Sequence, residues 1–273
     1  MEQEGISLKD IYFLGGLPRS GNTLLSALLN QHPNIYCSPL SPLLQAIDSM
    51  ENINNLEEAQ IVNFDSNVSN AIRAYVSGFY SEVDKPVVID RCKGWGTKQS
   101  IFLSYKYITN KPKVIFTVRD IPSILSSFIN ILGTEPTSYV DNALRVSKVS
   151  AYGSQVQNDL RCEWLMSNQI QASLVSLTEL LQIGIPVLLI EYDNLVSNPQ
   201  GELDKVYKFL DLPEYKNNLI DIKKIEIENL SIVNLPDKLH TVRKQISKTS
   251  LIPKDNLPKL ILDKYLGLEF WRN

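Results

Sequence analysis

The sequence predicts an α/β fold in which a parallel sheet is covered by helices on both faces. Short apolar runs recur along the 273 residues, and each is followed by a segment whose apolar residues have helical spacing. Buried strands that alternate with helices are typical of parallel sheets. Polar loops with glycine, arginine or lysine follow three of these runs. Because ligands of such sheets bind at the carboxyl ends of the strands, these loops are the expected functional region.

Composition and charge restrict the class of partner. The chain has 27 lysines and arginines against 30 aspartates and glutamates, a net charge of −3, so no overall attraction to nucleic acid or to an anionic membrane is expected. Without a repeat or an obvious linker, one domain is predicted for residues 1–273. The polar, acidic first residues are unlike a signal peptide, and no apolar run approaches membrane-spanning length. A cytoplasmic location is therefore expected, with reduced thiols at Cys37, Cys92 and Cys162.

The first element is a strand, a loop and a helix over residues 11–33. The apolar run at residues 11–14 predicts a buried strand, and Gly15 and Gly16 open the loop. Leucines at helical spacing then predict a helix that ends near Pro33. The first N–H groups of a helix have no backbone partner and carry partial positive charge. The arrangement therefore predicts an anion site where the loop meets the helix.

The loop fits the phosphate-binding P-loop pattern except at one position. Gly16, Gly21 and Thr23 match, but Asn22 stands where that pattern has lysine. The lysine normally reaches the terminal phosphates of ATP or GTP, so its absence disfavours ordinary nucleotide hydrolysis. The cation is instead Arg19, inside the loop. A plain strand–turn–helix connection is the alternative, but it does not account for glycines, arginine, serine and threonine gathered in one loop.

Three further buried strands are predicted, at residues 86–90, 113–118 and 187–192. Helices are predicted between and after them, at residues 71–80, 121–133, 137–182, 199–210 and 257–271. Asp120 is placed to cap the second of these helices, with Pro122 in its first turn. The core candidates of the long helical stretch are Trp164, Ile170, Leu174, Leu177 and Leu181.

Residues 18–23, Pro-Arg-Ser-Gly-Asn-Thr, resemble the loop with which sulfotransferases bind the 5′-phosphosulfate of 3′-phosphoadenosine 5′-phosphosulfate (PAPS). The His-Pro at residues 32–33 is similar to that of the bacterial and tyrosylprotein branches of the family. The resemblance implies a P-loop-like sulfotransferase fold, PAPS as the sulfuryl donor and no metal. It assigns the 5′-phosphosulfate to the loop and the start of its helix, namely to Arg19, Ser20, Gly21, Asn22, Thr23 and Leu24.

Arg119 and Ser127 form a second candidate site. Arg119 follows the third strand, and Ser127 lies about two turns into the next helix, so both side chains can reach one anion. The pair resembles the 3′-phosphate motif of sulfotransferases. Taken alone, an Arg-Asp after a strand is more often a helix cap with a surface ion pair. Its combination with the Arg19 loop favours a nucleotide that carries phosphate at both its 3′ and 5′ positions.

Lys93 follows the second strand and resembles the catalytic lysine of the tyrosylprotein and bacterial enzymes. That role is to stabilise charge on the departing oxygen as the sulfur–oxygen bond breaks, and the alternative is a solvated surface lysine. Trp95 is expected to pack, with adenine stacking as the alternative. Tyr192 resembles part of the family's Tyr-Glu-Asp-Leu segment, which leaves adenine contact and packing both open. Arg243 lies in a late basic stretch, where relatives cover the nucleotide.

The sequence therefore predicts a sulfotransferase that moves the sulfuryl group from PAPS to a hydroxyl or amine of a small-molecule or peptide acceptor. Lys93 and Arg19 are the predicted catalytic residues. No general base stands out, because the glutamate of the tyrosylprotein enzymes has no counterpart. The candidates are His240, Asp48 and Glu51, whereas His32 is expected to hold a turn. A P-loop kinase and a non-catalytic nucleotide-binding protein are the alternatives.

Overall fold

The computed structural model describes residues 9–62, 65–133, 138–144, 154–223, 244–246 and 252–272. Five parallel strands form one sheet in the order β2-β3-β1-β4-β5. Their bounds are β1 Asp10–Gly16, β2 Ile35–Cys37, β3 Val87–Arg91, β4 Val114–Val118 and β5 Val187–Glu191. The predicted α/β fold with a parallel sheet is confirmed.

Helices pack on both faces of this sheet. Those in the described part of the chain are α1 Asn22–Leu29, α2 Leu43–Glu51, α3 Glu57–Val62, α4 Asp65–Phe79, α5 Lys98–Tyr107, α6 Ile121–Leu132, α7 Tyr139–Ala143, α8 Ser154–Leu165, α9 Gln171–Ile183, α10 Tyr192–Ser197, α11 Pro199–Phe209, α12 Pro253–Asn256 and α13 Lys259–Tyr265. Short 3-10 turns lie at Asn52–Asn55 and Phe270–Arg272, and a π-helical turn, Met166–Ile170, joins α8 to α9.

The sheet separates two apolar cores, because neighbouring strand residues point to opposite faces. Phe13, Val88 and Phe116 pack on one side with residues of α2, α4, α5, α6, α8 and α9. Leu14 and Ile115 pack on the other side with residues of α1 and α11. Both β3 and β4 are buried along their whole length, as expected for parallel strands that are covered on two faces.

β1 lies between β3 and β4, so the loops that follow these three strands leave the sheet side by side. Leu14 of β1 pairs with Arg91 of β3, and Gly16 pairs with Thr117 of β4. The prediction that the three motif loops share one edge of the sheet is confirmed.

Some predicted elements differ from those observed. β2 was not predicted, because its three residues leave no apolar run long enough to recognise. Leu181 was a core candidate but is 43% exposed, because it lies about 100° around α9 from the buried Leu180. The helix predicted for residues 257–271 is interrupted, since α13 ends at Tyr265 before a glycine turn at Gly267.

The cap predicted for α6 is observed. The Asp120 carboxylate caps α6 by accepting a hydrogen bond from the backbone N–H of Ser123 at 2.8 Å. All three cysteines are buried and free. In the described residues we find no helix with the length and apolar character needed to cross a membrane.

Candidate functional site

The loop between β1 and α1 is held against the neighbouring strand β4. The backbone N–H of Leu17 donates to the carbonyl of Thr117 at 2.9 Å. Arg19 and Gly21 both adopt left-handed backbone conformations, with φ of 60° and 93°. A side chain at Gly21 would also meet the ring of Tyr192 at 3.0 Å, so glycine is required there for two reasons. The loop therefore curls tightly into the first turn of α1.

Two predicted ligand residues use their side chains to build this loop. The hydroxyl of Ser20 is fully buried, donates to the Leu17 carbonyl at 2.5 Å and lies 2.5 Å from the hydroxyl of Thr117. The amide of Asn22 donates to the same Leu17 carbonyl at 2.9 Å. The residue that replaces the P-loop lysine thus fastens the loop internally. Because both side chains are used within the loop, Ser20 and Asn22 can bind the 5′-phosphosulfate only through their backbone N–H groups.

Arg19, Arg119 and Ser127 form one cluster beside the loop. The Nε of Arg19 donates to the Ser127 hydroxyl at 3.1 Å, and an Nη1 of Arg119 donates to the Arg19 carbonyl at 3.1 Å. Arg119 is only 6% exposed, and its buried Nε has no hydrogen-bond partner among the described residues. A guanidinium N–H that is buried without a partner is costly, so the geometry favours an anion in this position.

The charges of the cluster favour the same conclusion. Burial lowers the pKa of Arg119 and of Arg19, and for Arg19 the nearby positive charge of Arg119 lowers the pKa further. Burial disfavours both charges, and the charge of Arg119 disfavours that of Arg19 further, so an anion bound beside them would stabilise the pair. The cluster is therefore an electropositive site rather than the surface ion pair that was the alternative for Arg119.

The ring of Tyr192 packs against Arg119 of the cluster. The guanidinium carbon of Arg119 lies 4.0 Å from the centre of its ring, a cation–π contact, and the ring also lies close to Gly21. This face of the ring is covered by Arg119 and is not available to adenine. The structure shows the packing contact of Tyr192 with Arg119, and contact between adenine and the rest of the ring stays a prediction.

Arg91, which sequence reasoning missed, lies at the other side of the loop. It is the last residue of β3, is 6% exposed, and donates from Nη2 to the hydroxyl of Thr23 in the first turn of α1 at 3.1 Å. The predicted catalytic residue Lys93 is instead exposed, two residues further along. The signal for Arg91 was its place at the strand end, on the α1 side of the sheet, in register with Leu14.

Buried side chains pack around the end of β3 that carries Arg91. Trp95 is fully buried, its ring centre lies 4.1 Å from that of Phe13, and its indole donates to the Asp90 carboxylate at 2.6 Å. The prediction that Trp95 packs is confirmed. Asp90 is also buried and accepts from the Tyr80 hydroxyl at 2.5 Å. Both contacts fix the strand end that carries Arg91.

The candidate bases are engaged in structural contacts. His32 is buried, accepts from the backbone N–H of Asn34 and thereby holds the turn as predicted. Asp48 accepts from the amide of Gln99, and Glu51 accepts from Lys106. His240 and the predicted nucleotide ligand Arg243 lie outside the described residues. Within the described ranges we find no group of three His, Cys, Asp or Glu residues placed to hold a metal ion.

Comparison with known proteins identifies relatives for this site. The sequence model of the sulfotransferase family matches residues 106–217, which include Arg119, Ser127 and Tyr192. Protein-tyrosine sulfotransferase A of Caenorhabditis elegans is 21% identical over 250 residues, which cover 88% of this chain and 60% of that protein. Protein-tyrosine sulfotransferase 1 of Danio rerio is 23% identical over 216 residues, covering 74% of this chain and 53% of that protein.

The fold agrees with these relatives. The sulfotransferase domain from the curacin biosynthetic pathway superposes with a TM-score of 0.51 at 16% identity, over 96% of this chain and 91% of that domain. The comparisons support a sulfotransferase family for this chain, with the family match confined to residues 106–217 and with a sulfotransferase fold. It spans between half and three-fifths of the length of the two curated relatives. Lys93, to which the family resemblance leads, stays a predicted catalytic residue two positions beyond Arg91.

Proposed function

We propose that this chain moves the sulfuryl group of PAPS to a hydroxyl or amine of a peptide or small-molecule acceptor. The observation that carries the proposal is a second anion site, Arg119 with Ser127, which hydrogen bonds of Arg19 connect directly to the loop at the start of α1. A donor with phosphate groups at its 3′ and 5′ positions presents one anion to each site. ATP and GTP have no 3′-phosphate for the second one.

The residues present fit this donor. The buried Nε of Arg119 matches a phosphate oxygen, which accepts charge-assisted hydrogen bonds. At the loop, a Cβ on Gly16 would lie 2.2 Å from the Thr117 hydroxyl. Only glycine therefore allows the loop backbone to pass this close to β4. The N–H groups at the start of α1 are then the donors for the 5′ group.

When bound, PAPS supplies the sulfuryl group and a bisphosphate that departs. The chain's own residues bind and neutralise charge around it. Arg91 reaches the loop at Thr23 from the β3 side, whereas Arg119 reaches it from the β4 side. Because a guanidinium stays protonated, Arg91 acts as a fixed charge beside the reacting group and not as a proton donor.

The two alternatives are separated by experiment. The Asn22 amide fills the place of the P-loop lysine with a bond to Leu17, which disfavours a kinase. A non-catalytic nucleotide-binding protein would bind the donor without turnover. Since the curated relatives are named as protein-tyrosine sulfotransferases, a tyrosine peptide is the first acceptor to assay, followed by small phenols and amines.

With labelled PAPS, we expect transfer of label to one of these acceptors. We also expect adenosine 3′,5′-bisphosphate at one hundred times its Kd to stabilise the protein by about 2.7 kcal/mol. For a chain of this size, at about 2–4 °C per kcal/mol, that raises Tm by roughly 5–10 °C. ATP with Mg²⁺ should raise Tm less. An equal rise with ATP and none with the bisphosphate would contradict the proposal, while binding without transfer would favour the non-catalytic alternative.

Arg119→Ala is expected to weaken the bisphosphate by on the order of tenfold to a hundredfold, because each hydrogen bond to a charged group contributes about 1.5–3 kcal/mol. Binding of 5′-AMP, which lacks the 3′-phosphate, should change little. Calorimetric titration of both ligands measures the two effects. Arg73→Ala, on the exposed surface of α4, is the control and should affect neither ligand. Equal weakening of both ligands by Arg119→Ala would show that Arg119 does not bind the 3′-phosphate.

A further inference from the structure

A segment near the end of the sequence contacts residues that neighbour the Arg19–Arg119–Ser127 cluster on two sides. This segment, residues 252–272, contains α12, α13 and the turn Phe270–Arg272. The cluster itself is built from β1, β4 and α6, more than a hundred residues earlier. The contacts are hydrogen bonds from the two ends of the segment to Ser126 and Glu191. Ser126 precedes Ser127 of the cluster, and Glu191 precedes Tyr192, whose ring contacts Arg119.

The first contact is on α6. Asn256 accepts from the Ser126 hydroxyl at 2.7 Å and donates to the Ser126 carbonyl at 3.0 Å. Ser126 is 1% exposed and precedes Ser127, whose hydroxyl accepts from Arg19. A side-chain amide that satisfies both polar groups of one helical residue fixes the position and rotation of that turn. The direction of Ser127 follows from it.

The second contact is on β5. Arg272 donates from Nε and Nη2 to the two carboxylate oxygens of Glu191, at 2.8 Å each, and the Trp271 indole donates to the same carboxylate at 3.0 Å. Glu191 precedes Tyr192, whose ring lies under Arg119. A bidentate pair with a third donor restricts the carboxylate far more than a single surface ion pair does. It therefore fixes the start of α10 and the ring that supports Arg119.

The segment has its own anchor in the core. Leu257, Ile261 and Tyr265 are buried against the apolar residues of α6 and α8. Because this apolar contact holds the segment in place, the polar ends can be removed without detaching it. The hydrogen bonds of Asn256 and Arg272 are thus separable from the folding of the segment.

We infer that the 252–272 segment positions the 3′-phosphate site, with Asn256 setting Ser127 through Ser126 and Arg272 setting Tyr192 and Arg119 through Glu191. Asn256, Trp271 and Arg272 are positioning residues that act through these neighbours. The inference rests on the proposed function, since it assigns the cluster to a 3′-phosphate. It makes discrimination between 3′-phosphorylated and ordinary adenine nucleotides depend on residues that contact neither ligand.

The test is calorimetric titration of adenosine 3′,5′-bisphosphate and of 5′-AMP against the wild type, Asn256→Ala, Arg272→Ala and the double variant. We expect each single substitution to weaken binding of the bisphosphate by about three- to tenfold, because changes at coupled positions typically shift binding by such factors. The double variant should weaken this binding more. Binding of 5′-AMP should stay within about twofold of the wild type. A merely structural loss would weaken both ligands together.

Lys264→Ala is the matched control. Lys264 lies in the same segment and donates twice to the carboxylate of Glu163, at 2.7 and 2.8 Å, with an exposure close to that of Arg272. In the described part of the chain we find no contact between Lys264 and Ser126 or Glu191, so the ratio of the two affinities should not change. If Asn256→Ala does not fold, Ser126→Ala removes one of the same two hydrogen bonds and should reduce the ratio in the same direction.

The outcomes separate the two proposals. A wild type that prefers the bisphosphate, together with variants that keep this preference, overturns the positioning role and leaves the proposed function intact. A wild type that binds both ligands equally, or neither, overturns the proposed function and the inference with it. Loss of preference in Lys264→Ala to the same extent as in Arg272→Ala would also overturn the inference.

Discussion

Arg91→Ala is expected to reduce sulfuryl transfer by about 10²–10³-fold, the usual loss when one preorganised donor to developing charge is removed. Arg91 is 6% exposed and donates to Thr23 at the start of α1, so its charge lies beside the helix start that we propose binds the 5′-phosphosulfate. Single-turnover rates with labelled PAPS measure the effect. The Kd of the bisphosphate should change less, because Arg119 and Ser127 lie on the opposite side of β1.

Lys93→Ala is the control for this prediction and should change the rate by less than about threefold, since an exposed lysine is already solvated. Arg91→Lys keeps the charge but not the planar fork and should restore only part of the rate. If Lys93→Ala abolishes transfer while Arg91→Ala does not, the sequence-based assignment of Lys93 as the catalytic residue is the correct one. Guanidinium ion added to Arg91→Ala should recover some activity.

Arg161→Met is expected to lower the free energy of unfolding by roughly 3–5 kcal/mol, the usual cost of leaving one member of a buried ion pair uncompensated. Arg161 and Asp141 are 2% and 1% exposed, and the Arg161 Nε donates to the Asp141 carboxylate at 2.8 Å. Urea denaturation at pH 7 measures the loss. The pair joins α7 to α8, and α7 carries Tyr139 at its first position.

The pH dependence identifies the mechanism. Burial alone would raise the pKa of Asp141, but hydrogen bonds from Arg161 and Ser138 outweigh it and lower the pKa to about 2. A depressed carboxylate pKa contributes stability above the ordinary value near 4, and this contribution is lost as pH falls toward 2. In Arg161→Met the pKa of Asp141 should instead rise. The difference in free energy of unfolding between the wild type and Arg161→Met should then shrink as pH is lowered from 7 to 4, because the unpaired carboxylate of the variant becomes protonated.

The double variant Arg161→Met with Asp141→Leu provides a control, because an apolar pair of similar volume is often as stable as a buried ion pair. It should recover much of the stability that Arg161→Met loses. A deficit that is equal at pH 4 and pH 7, with no recovery in the double variant, would show that packing of the arginine chain and not charge is responsible.

Features that depend on residues close in sequence were predictable. The alternation of buried strands and amphipathic helices determined the parallel sheet, because each strand and each crossover helix must bury its own apolar residues. Asp120 and Ser123 are three residues apart, so the cap of α6 is a local interaction. Arg119 and Ser127 belong to one strand–helix unit, and that unit places both beside the loop of Arg19.

Features that depend on the direction of a side chain needed the tertiary structure. The sequence brings Arg91 and Lys93 equally close to the edge of the sheet, but β3 ends at Arg91, which therefore points at α1 in register with Leu14. Ser20 and Asn22 are polar residues in a polar loop, and only the curl of that loop directs their side chains at the Leu17 carbonyl.

The contacts of the 252–272 segment are the clearest case of a feature that could not be predicted from the sequence. Asn256 and Ser126 are 130 positions apart, and Arg272 and Glu191 are 81 apart, so no local pattern connects them. Their meeting follows from Leu257, Ile261 and Tyr265 packing against α6 and α8, and the energy of that packing depends on the shape of the whole core. The sequence by itself therefore determined which loops meet at one edge of the sheet, through local spacing and strand order. The tertiary structure decided which side chains reach those loops and which distant segment holds them in place, because only packing sets those directions.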